Sequence, residues 1–300
     1  MTTAEKQHMR SIPQVQTPGI YHRRIGDIVV TALSDGYYDT PMAAYRGLTQ
    51  DEVAQRFQAR FQRVPPRVAI NAFLIRSGGR AALIDTGAGQ TMGPTLGILP
   101  QTLAAAGVAE ADIDTVLLTH LHPDHSNGLT GEDGKALFAS AELVVSEADV
   151  RFRQDDGARA PFDAVGQLRY FDHPRFQIAP YADRMRDARG QVFPGVTAVP
   201  LPGHTPGHTG YMIESGGESL LIWGDICHAQ ELQFPNPEVT VSFDVDGEAA
   251  IATRRRVLDW VARDRLLVAG MHVHFPGFLH IVRNGDGYEG VPERWQYEMA

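Results

Sequence analysis

The stretch Thr119-His-Leu-His-Pro-Asp-His-Ser-Asn-Gly128 decides the interpretation of this chain. It follows the apolar run Val116-Leu117-Leu118 and carries four metal-binding side chains within six residues, namely His120, His122, Asp124 and His125. Three imidazoles and a carboxylate this close together are costly to bury unless a cation compensates them. The alternative is a solvated loop that happens to be rich in histidine. The spacing H-x-H-x-D-H instead favours ligands divided between two metal ions.

Length, composition, net charge and cysteine content limit the classes of protein to which this chain can belong. The 300 residues are 43% hydrophobic and show no linker-like shift in composition, which predicts one domain over residues 21–300 behind a flexible arm of residues 1–20. The net charge of −9 disfavours nucleic acid as a partner. No apolar run approaches the ~20 residues that span a bilayer. With one cysteine and no apolar signal segment at the start, we expect a cytoplasmic location, although a processed precursor is the alternative.

The apolar patterns predict strands in two batches, each closing with a helix. Hairpins are expected around Ser77-Gly78-Gly79 and Gly216-Gly217, and a capping box at Thr49 and Glu52 begins a helix. This order favours two β-sheets packed face to face with helices outside, an α+β fold, over an alternating βαβ fold. Further strands are expected at residues 27–33, 70–75, 81–84, 114–119, 141–145, 196–201, 211–215, 219–223 and 266–269, and helices at residues 99–105 and 247–262.

Four details of this prediction are specific enough to test. The first strand should close in a turn at Ser34-Asp35-Gly36, and the capped helix should carry Phe61 at helical spacing. Residues 266–269 should form the last core strand. Residues 154–185 show no clear periodicity and are expected to form a long loop, which either covers a site or is simply anchored by its aromatic side chains.

A site with two metals needs more ligands than the first cluster supplies. His204 follows a predicted strand and a glycine that lets the backbone turn, so we favour it over His208. Asp225 lies at another strand end, where each carboxylate oxygen would face one ion. Either His272 or His274 would complete the second ion, and their spacing does not choose between them. Nitrogen-rich ligation without a thiolate suits Zn²⁺ best, with Fe, Mn, Co or Ni as alternatives.

These residues resemble the metallo-β-lactamase superfamily, and within it the methyl parathion hydrolase type and its neighbours, the acyl-homoserine lactone lactonases. The resemblance covers about residues 26–287. It is carried in order by Asp85-Thr86-Gly87, the 119–125 motif, Gly203-His204, Gly224-Asp225 and His272.

The resemblance implies an αββα sandwich with the metals at one edge of the two sheets, and a homodimer. It assigns His120, His122 and His204 to one ion, Asp124, His125 and His272 to the other, and Asp225 to both. It makes Asp85 a residue that holds the ligand loop. Where the lactonases have a tyrosine that binds the carbonyl, this chain has His228.

The implied function is hydrolysis of lactones, aryl esters or phosphotriesters by a metal-bridging hydroxide, with Asp124, Asp225 and His228 as catalytic residues. A glyoxalase II-like thioesterase and an iron-dependent persulfide dioxygenase share the motif and are the alternatives. A metal-binding module without activity is the least favoured interpretation. Position alone suggests six residues that line the substrate pocket, namely Tyr38, Met42, Met92, Phe171, His228 and Phe275.

Overall fold

The computed structural model describes residues 13–299. Most of the predicted arm, residues 1–12, lies outside the described residues, and the first strand begins at Ile20. The strands are β1 Ile20–Ile25, β2 Ile28–Asp39, β3 Tyr45–Arg46, β4 Arg67–Ser77, β5 Arg80–Ile84, β6 Thr115–Leu117, β7 Glu142–Val145, β8 Met185–Asp187, β9 Gln191–Phe193, β10 Val196–Pro200, β11 Thr209–Ser215, β12 Glu218–Ile222, β13 Thr240–Val241, β14 Leu267–Ala269, β15 Phe278–Asn284 and β16 Gly287–Pro292.

The helices lie between these strands and are mostly short. They are α1 Gln50–Gln58, α2 Leu99–Ala105, α3 Pro123–Ser126, α4 Glu147–Gln154, α5 Asp156–Arg159, α6 Ala164–Gln167, α7 His173–Ile178, α8 Gln230–Gln233 and α9 Gly247–Asp264. A π-helical turn, Leu168–Asp172, joins α6 to α7. Single 3₁₀ segments occupy Met42–Ala44, Glu110–Asp112 and Ala179–Arg184. Within the described residues no helix is long and apolar enough to cross a membrane.

Two seven-stranded sheets form the body of the molecule. The first has the order β1-β2-β4-β5-β6-β7-β8 and the second the order β16-β15-β14-β12-β11-β10-β9, while β13 and β3 pair separately. Both sheets mix antiparallel hairpins with parallel neighbours, such as β5 with β6 and β12 with β14. The carboxyl ends of these parallel strands therefore meet at one edge of each sheet.

Alternating apolar residues on the strands create three core layers. Phe73 and Ile84 of the first sheet pack with Tyr211 and Ile222 of the second in the layer between the sheets. A second layer joins the first sheet to α2, α4 and α7, and a third joins the second sheet to α9. Helices thus cover both outer faces, and the predicted αββα sandwich is confirmed.

Several local predictions were wrong for identifiable reasons. Residues 34–36 do not end a strand, because β2 continues through a bulge between Ser34 and Gly36 and pairs with β4 as far as Asp39, with Gly36 at φ +116°. Helix α1 keeps its capping box but ends at Gln58, so Phe61 is 99% exposed. Strand β14 is followed by the hairpin β15–β16. Residues 154–185 are a series of short helical turns rather than a loop, and turns this short leave no periodic pattern.

Candidate metal centre

The carboxyl ends of four strands bring the predicted ligands together. His120, His122, Asp124 and His125 follow β6, the last two on α3. His204, Asp225 and His272 follow β10, β12 and β14 respectively. Extended strands deliver these side chains to one edge of the sandwich, and the irregular backbone after each strand end turns them toward one another.

One cluster joins three histidines. His122 Nδ1 lies 3.0 Å from His120 Nε2 and 2.9 Å from His204 Nε2. All three side chains are nearly inaccessible to solvent. Nitrogen lone pairs that converge at such distances repel one another unless a proton or a cation lies between them, so this arrangement is typical of a metal site.

A second cluster joins Asp124, His125 and His272. Asp124 Oδ2 lies 3.5 Å from His125 Nε2 and 3.6 Å from His272 Nε2. Asp225 lies between the two clusters. Its Oδ2 is 3.3 Å from the Nε2 atoms of both His125 and His204, whereas its Oδ1 is buried without a partner. A single oxygen, Oδ2, thus faces both clusters, and the expectation that each oxygen would take one ion stays a prediction.

In three of the histidines, the other ring nitrogen is fixed by a partner outside the clusters. His125 Nδ1 contacts Asp85 Oδ2 at 2.7 Å, and His204 Nδ1 contacts Asp244 Oδ1 at 2.7 Å. His272 Nδ1 lies 3.0 Å from the carbonyl oxygen of Ala69. Such contacts fix the tautomer and the ring orientation, which is what metal-binding histidines require.

Asp85 organises the loop that carries the motif. Its Oδ1 accepts the backbone N–H of Thr119 at 2.7 Å, and its Oδ2 accepts the Thr119 hydroxyl at 2.7 Å. The same hydroxyl lies 3.0 Å from His120 Nδ1. Asp85 adopts φ +60°, a strained conformation for a residue other than glycine, which the surrounding contacts must hold. Asp85 thus links both clusters.

His208 does not enter either cluster. Its Nε2 accepts the backbone N–H of Asp225 at 2.8 Å, and its Nδ1 donates to the Leu201 carbonyl oxygen at 2.8 Å. Burial lowers the pKa of His208 to about 4, so the ring is neutral, as an acceptor at Nε2 requires. The residue that competed with His204 in the sequence therefore holds the backbone of Asp225.

Burial also sets the charge state of the clusters. It holds the pKa of His120 and His122 well below the usual range for histidine, so both rings are neutral. Burial opposes the charge on His204 as well, but its contacts with Asp225 and Asp244 raise its pKa to about 9. Neutral imidazoles and ionised carboxylates are the forms that bind metals, so a bound cation would displace the proton that His204 holds in its absence. Five buried histidines, two aspartates and the unpartnered Asp225 Oδ1 fit a pair of divalent cations.

A cavity opens above the clusters. His228 lies on its floor, with Nε2 3.0 Å from Asp225 Oδ2 and its ring stacked on His272 at 5.1 Å. Burial lowers the pKa of His228 to about 4. The other lining residues are Tyr38, Thr40, Tyr45, Val68, Ile70, Met92, His122, Pro123, Asp124, Arg169, Tyr170, Asp225, Phe243 and His272.

Of the six pocket residues suggested by position, Tyr38, Met92 and His228 line this cavity, and three do not. Phe171 is fully buried against the rings of Phe152 and Phe162, facing the core of the helical segment. Met42 packs on the cluster that includes Tyr45. Phe275 is 38% exposed and does not line the cavity.

The sequence reasoning missed other residues at the site. Thr40 follows Tyr38 at strand spacing, and Val68 and Ile70 alternate in the same way on the paired strand β4, so a period-two pattern could have revealed this wall. Asp244, which orients His204, lies in an irregular segment after β13 and gave no such signal.

Comparison with known proteins agrees with this geometry. The family model described as "Metallo-beta-lactamase superfamily" matches residues 65–272, a span that includes all seven predicted ligands. This chain belongs to the metallo-β-lactamase superfamily. It is accordingly a member of a superfamily of metal-dependent hydrolases.

Solved structures support the same placement. A hydrolase of the β-lactamase superfamily, AbOPH, is 32% identical, with a TM-score of 0.87 over 94% of this chain and 100% of that one. AidC, a dizinc quorum-quenching lactonase in complex with its product, superposes with a TM-score of 0.85 over 93% of this chain and 99% of that one. At 24% identity, this second likeness shows the fold alone.

Curated relatives match over shorter spans. An N-acyl homoserine lactonase from a Bacillus species is 24% identical over 55% of this chain and 58% of its own length. A ribonuclease Z from Mycobacterium bovis is 31% identical over 51% of this chain and 55% of its own length. The chain thus spans little more than half the length of the curated relatives it matches.

Proposed function

We propose that this protein is a hydrolase that uses two divalent metal ions, most simply Zn²⁺, to cleave lactones, aryl esters or phosphotriesters. The observation that carries the proposal is the position of Asp225 Oδ2, within 3.3 Å of both His125 and His204, beneath a cavity walled by apolar side chains. Such a cavity suits an uncharged acyl or aryl group next to the reacting centre.

The protein ligands fall into two sets. His120, His122 and His204 would hold one ion, Asp124, His125 and His272 the other, and Asp225 both. When bound, the ions supply a water of lowered pKa and an electrophile for a carbonyl or phosphoryl oxygen.

The chain's own side chains position the substrate and move protons. The neutral His228 ring has one N–H, and its Nε2 lies 3.0 Å from Asp225 Oδ2, so it would donate a hydrogen bond to a substrate oxygen that develops charge by exchanging the carboxylate for that oxygen. Asp124 is the more exposed of the two cavity carboxylates, with 19% of its side chain accessible, so it can pass a proton to a poor leaving group. A phenolate leaving group needs no such help.

Other activities found in the superfamily are alternatives to the proposed hydrolysis. A glutathione thioesterase or an iron-dependent persulfide dioxygenase would use the same ligand set. Ribonuclease Z is among the matched relatives, but the net charge of −9 opposes binding of a polyanion. Metal content and a substrate panel separate these activities: lactones of several chain lengths, aryl esters, phosphotriesters, glutathione thioesters and persulfides, each assayed with the iron and zinc content measured.

The metal assignment is tested by His120→Ala and Asp225→Ala. We expect about two ions per chain in the wild type, loss of metal in both variants, and a fall in turnover of at least about a hundredfold, because each removed side chain takes part in holding an ion. His280→Ala, an exposed histidine far from the motif, is the control and should change neither quantity. Full metal content together with full turnover in both variants would refute the assignment.

A further inference from the structure

The cavity is lined by a positively charged side chain that has no role in the proposed reaction. Arg169 lines it from the π-helical turn and is partly buried. Within residues 13–299 its guanidinium has no carboxylate partner, and its recorded contact is with the face of the Tyr170 ring, 5.7 Å away. Other arginines of the same helical segment are paired, such as Arg159 with Asp172 and Arg175 with Asp156.

The π-helical turn aims Arg169 at the site. A π-helical turn inserts an extra residue into the helical repeat and changes which side chains face inward, and such turns are frequent at functional sites. Here Arg169 and Tyr170 line the cavity, while the preceding Leu168 is 50% exposed. The Tyr170 carbonyl oxygen accepts a hydrogen bond from the buried Arg153, which anchors the turn to α4.

Contacts of the Tyr170 ring set an upper limit on the distance between the Arg169 guanidinium and the metal ligands. This ring lies 5.5 Å from that of His122, and the Arg169 guanidinium carbon lies 5.7 Å from the Tyr170 ring. The guanidinium is therefore no farther from the His122 ring than these two distances together. A short substrate bound at the clusters can reach it.

We propose that Arg169 is a specificity-determining residue that selects esters or lactones bearing a carboxylate or a similar anionic group a few carbons from the scissile bond. The inference rests on the proposed function. Two aspartates neutralise only part of the charge of two divalent ions, so the loaded cavity is positive, and Arg169 extends this field along the apolar wall. A guanidinium held in this wall, with no carboxylate of its own, pairs with a carboxylate more strongly than one in bulk water does.

The test compares p-nitrophenyl monoesters of succinate, glutarate and adipate with the same compounds methylated at the distal carboxylate. At the best chain length we expect the wild type to prefer the anionic ester by about tenfold in kcat/KM, mostly through KM. Arg169→Gln should abolish the preference, because it should lower kcat/KM for the anionic ester about tenfold more than for the methylated ester. Arg169→Lys should keep part of the preference, and Arg169→Glu should reverse it.

Arg151→Gln is the matched control, because Arg151 is an exposed arginine of α4 paired with Glu147 outside the cavity. It should leave the preference intact. A wild type without preference, or an Arg169→Gln variant that loses both esters equally, would overturn the proposal, the latter because it indicates a structural role.

A binding measurement separates this inference from the proposed function. Calorimetry on the metal-loaded protein compares glutarate with pentanoate, which has the same number of carbons. If no ester is hydrolysed, the proposed function fails, yet tighter binding of glutarate by about tenfold that disappears in Arg169→Gln would still support the role of Arg169. Equal loss of glutarate and pentanoate binding in that variant, or none, would refute it.

Discussion

Single side chains outside the two clusters fix the orientation of the histidines within them. Asp244 is the clearest example, because its Oδ1 contacts His204 Nδ1 at 2.7 Å and its Oδ2 accepts the backbone N–H of Val241 at 2.9 Å. The carboxylate therefore ties the orientation of a proposed ligand to a loop from the small two-stranded sheet.

We expect Asp244→Asn to lower metal affinity by about ten- to a hundredfold, because partners of this kind orient the ligand and raise its basicity. Competition with a chromogenic chelator measures the change. Asp286→Asn, in the exposed turn between β15 and β16, is the control. Unchanged affinity in Asp244→Asn would show that His204 does not need the carboxylate.

The difference between what the sequence revealed and what it hid is also visible at single residues. Six of the seven proposed ligands could be predicted because they sit in short motifs directly after apolar strands, whereas the choice of His272 over His274 came from the family resemblance. Asp244 and Arg169 could not, since their importance comes from contacts between segments that are far apart in the chain. His274 illustrates the opposite case, because it is a plausible ligand by spacing but instead contacts Glu231 at 2.8 Å.

At the scale of elements, the ends of strands carry the site, and strand β12 shows how tightly one end is constrained. Gly224 follows it with φ +61°, and a Cβ there would lie 2.4 Å from His208 Nε2. That nitrogen accepts the N–H of Asp225, so any shift of the ring moves the shared carboxylate. Gly217, just before the same strand, has φ +84° but open space around it.

Gly224→Ala and Gly217→Ala therefore separate backbone strain from the clash. Both substitutions place a side chain at positive φ, which costs about 1–2 kcal/mol. Gly224→Ala should lose a further ~1–3 kcal/mol of unfolding free energy and should bind metal more weakly, because the methyl group displaces His208. Urea unfolding and metal titration of both variants check this expectation. Equal losses of unfolding free energy and of metal binding in the two variants would mean that the His208 ring moves aside without shifting Asp225.

Elements also differ in how visible they are to sequence analysis. Hairpins with paired glycines and the capped helix α1 follow local rules and were predicted. The bulge that lets β2 continue through Gly36, and the run of turns from α5 to α7, depend on packing against distant segments. Their residues gave no periodic signal, although these turns supply Arg169 and Tyr170 to the cavity.

At the scale of the whole molecule, the two sheets share one interior. Phe73 and Ile84 from the first half of the chain are buried against Tyr211 and Ile222 from the second. The proposed ligands also come from both halves, with the motif after β6 and the others after β10, β12 and β14. Neither half can therefore bury its inner sheet face or complete the clusters alone. The homodimer implied by the resemblance stays a prediction, since the structure describes a single chain.

The shared interior predicts one cooperative unfolding transition for residues 21–300. Fluorescence of the three tryptophans, all in the second half, should change at the same urea concentration as hydrogen exchange of the strands β4 to β6 in the first half. Chelation should move both transitions equally, by about 4 kcal/mol where metal had been present at a thousand times its Kd, because the ligands of each ion span both halves. If chelation instead separated the two transitions, the halves would be distinct folding units that the metals hold together.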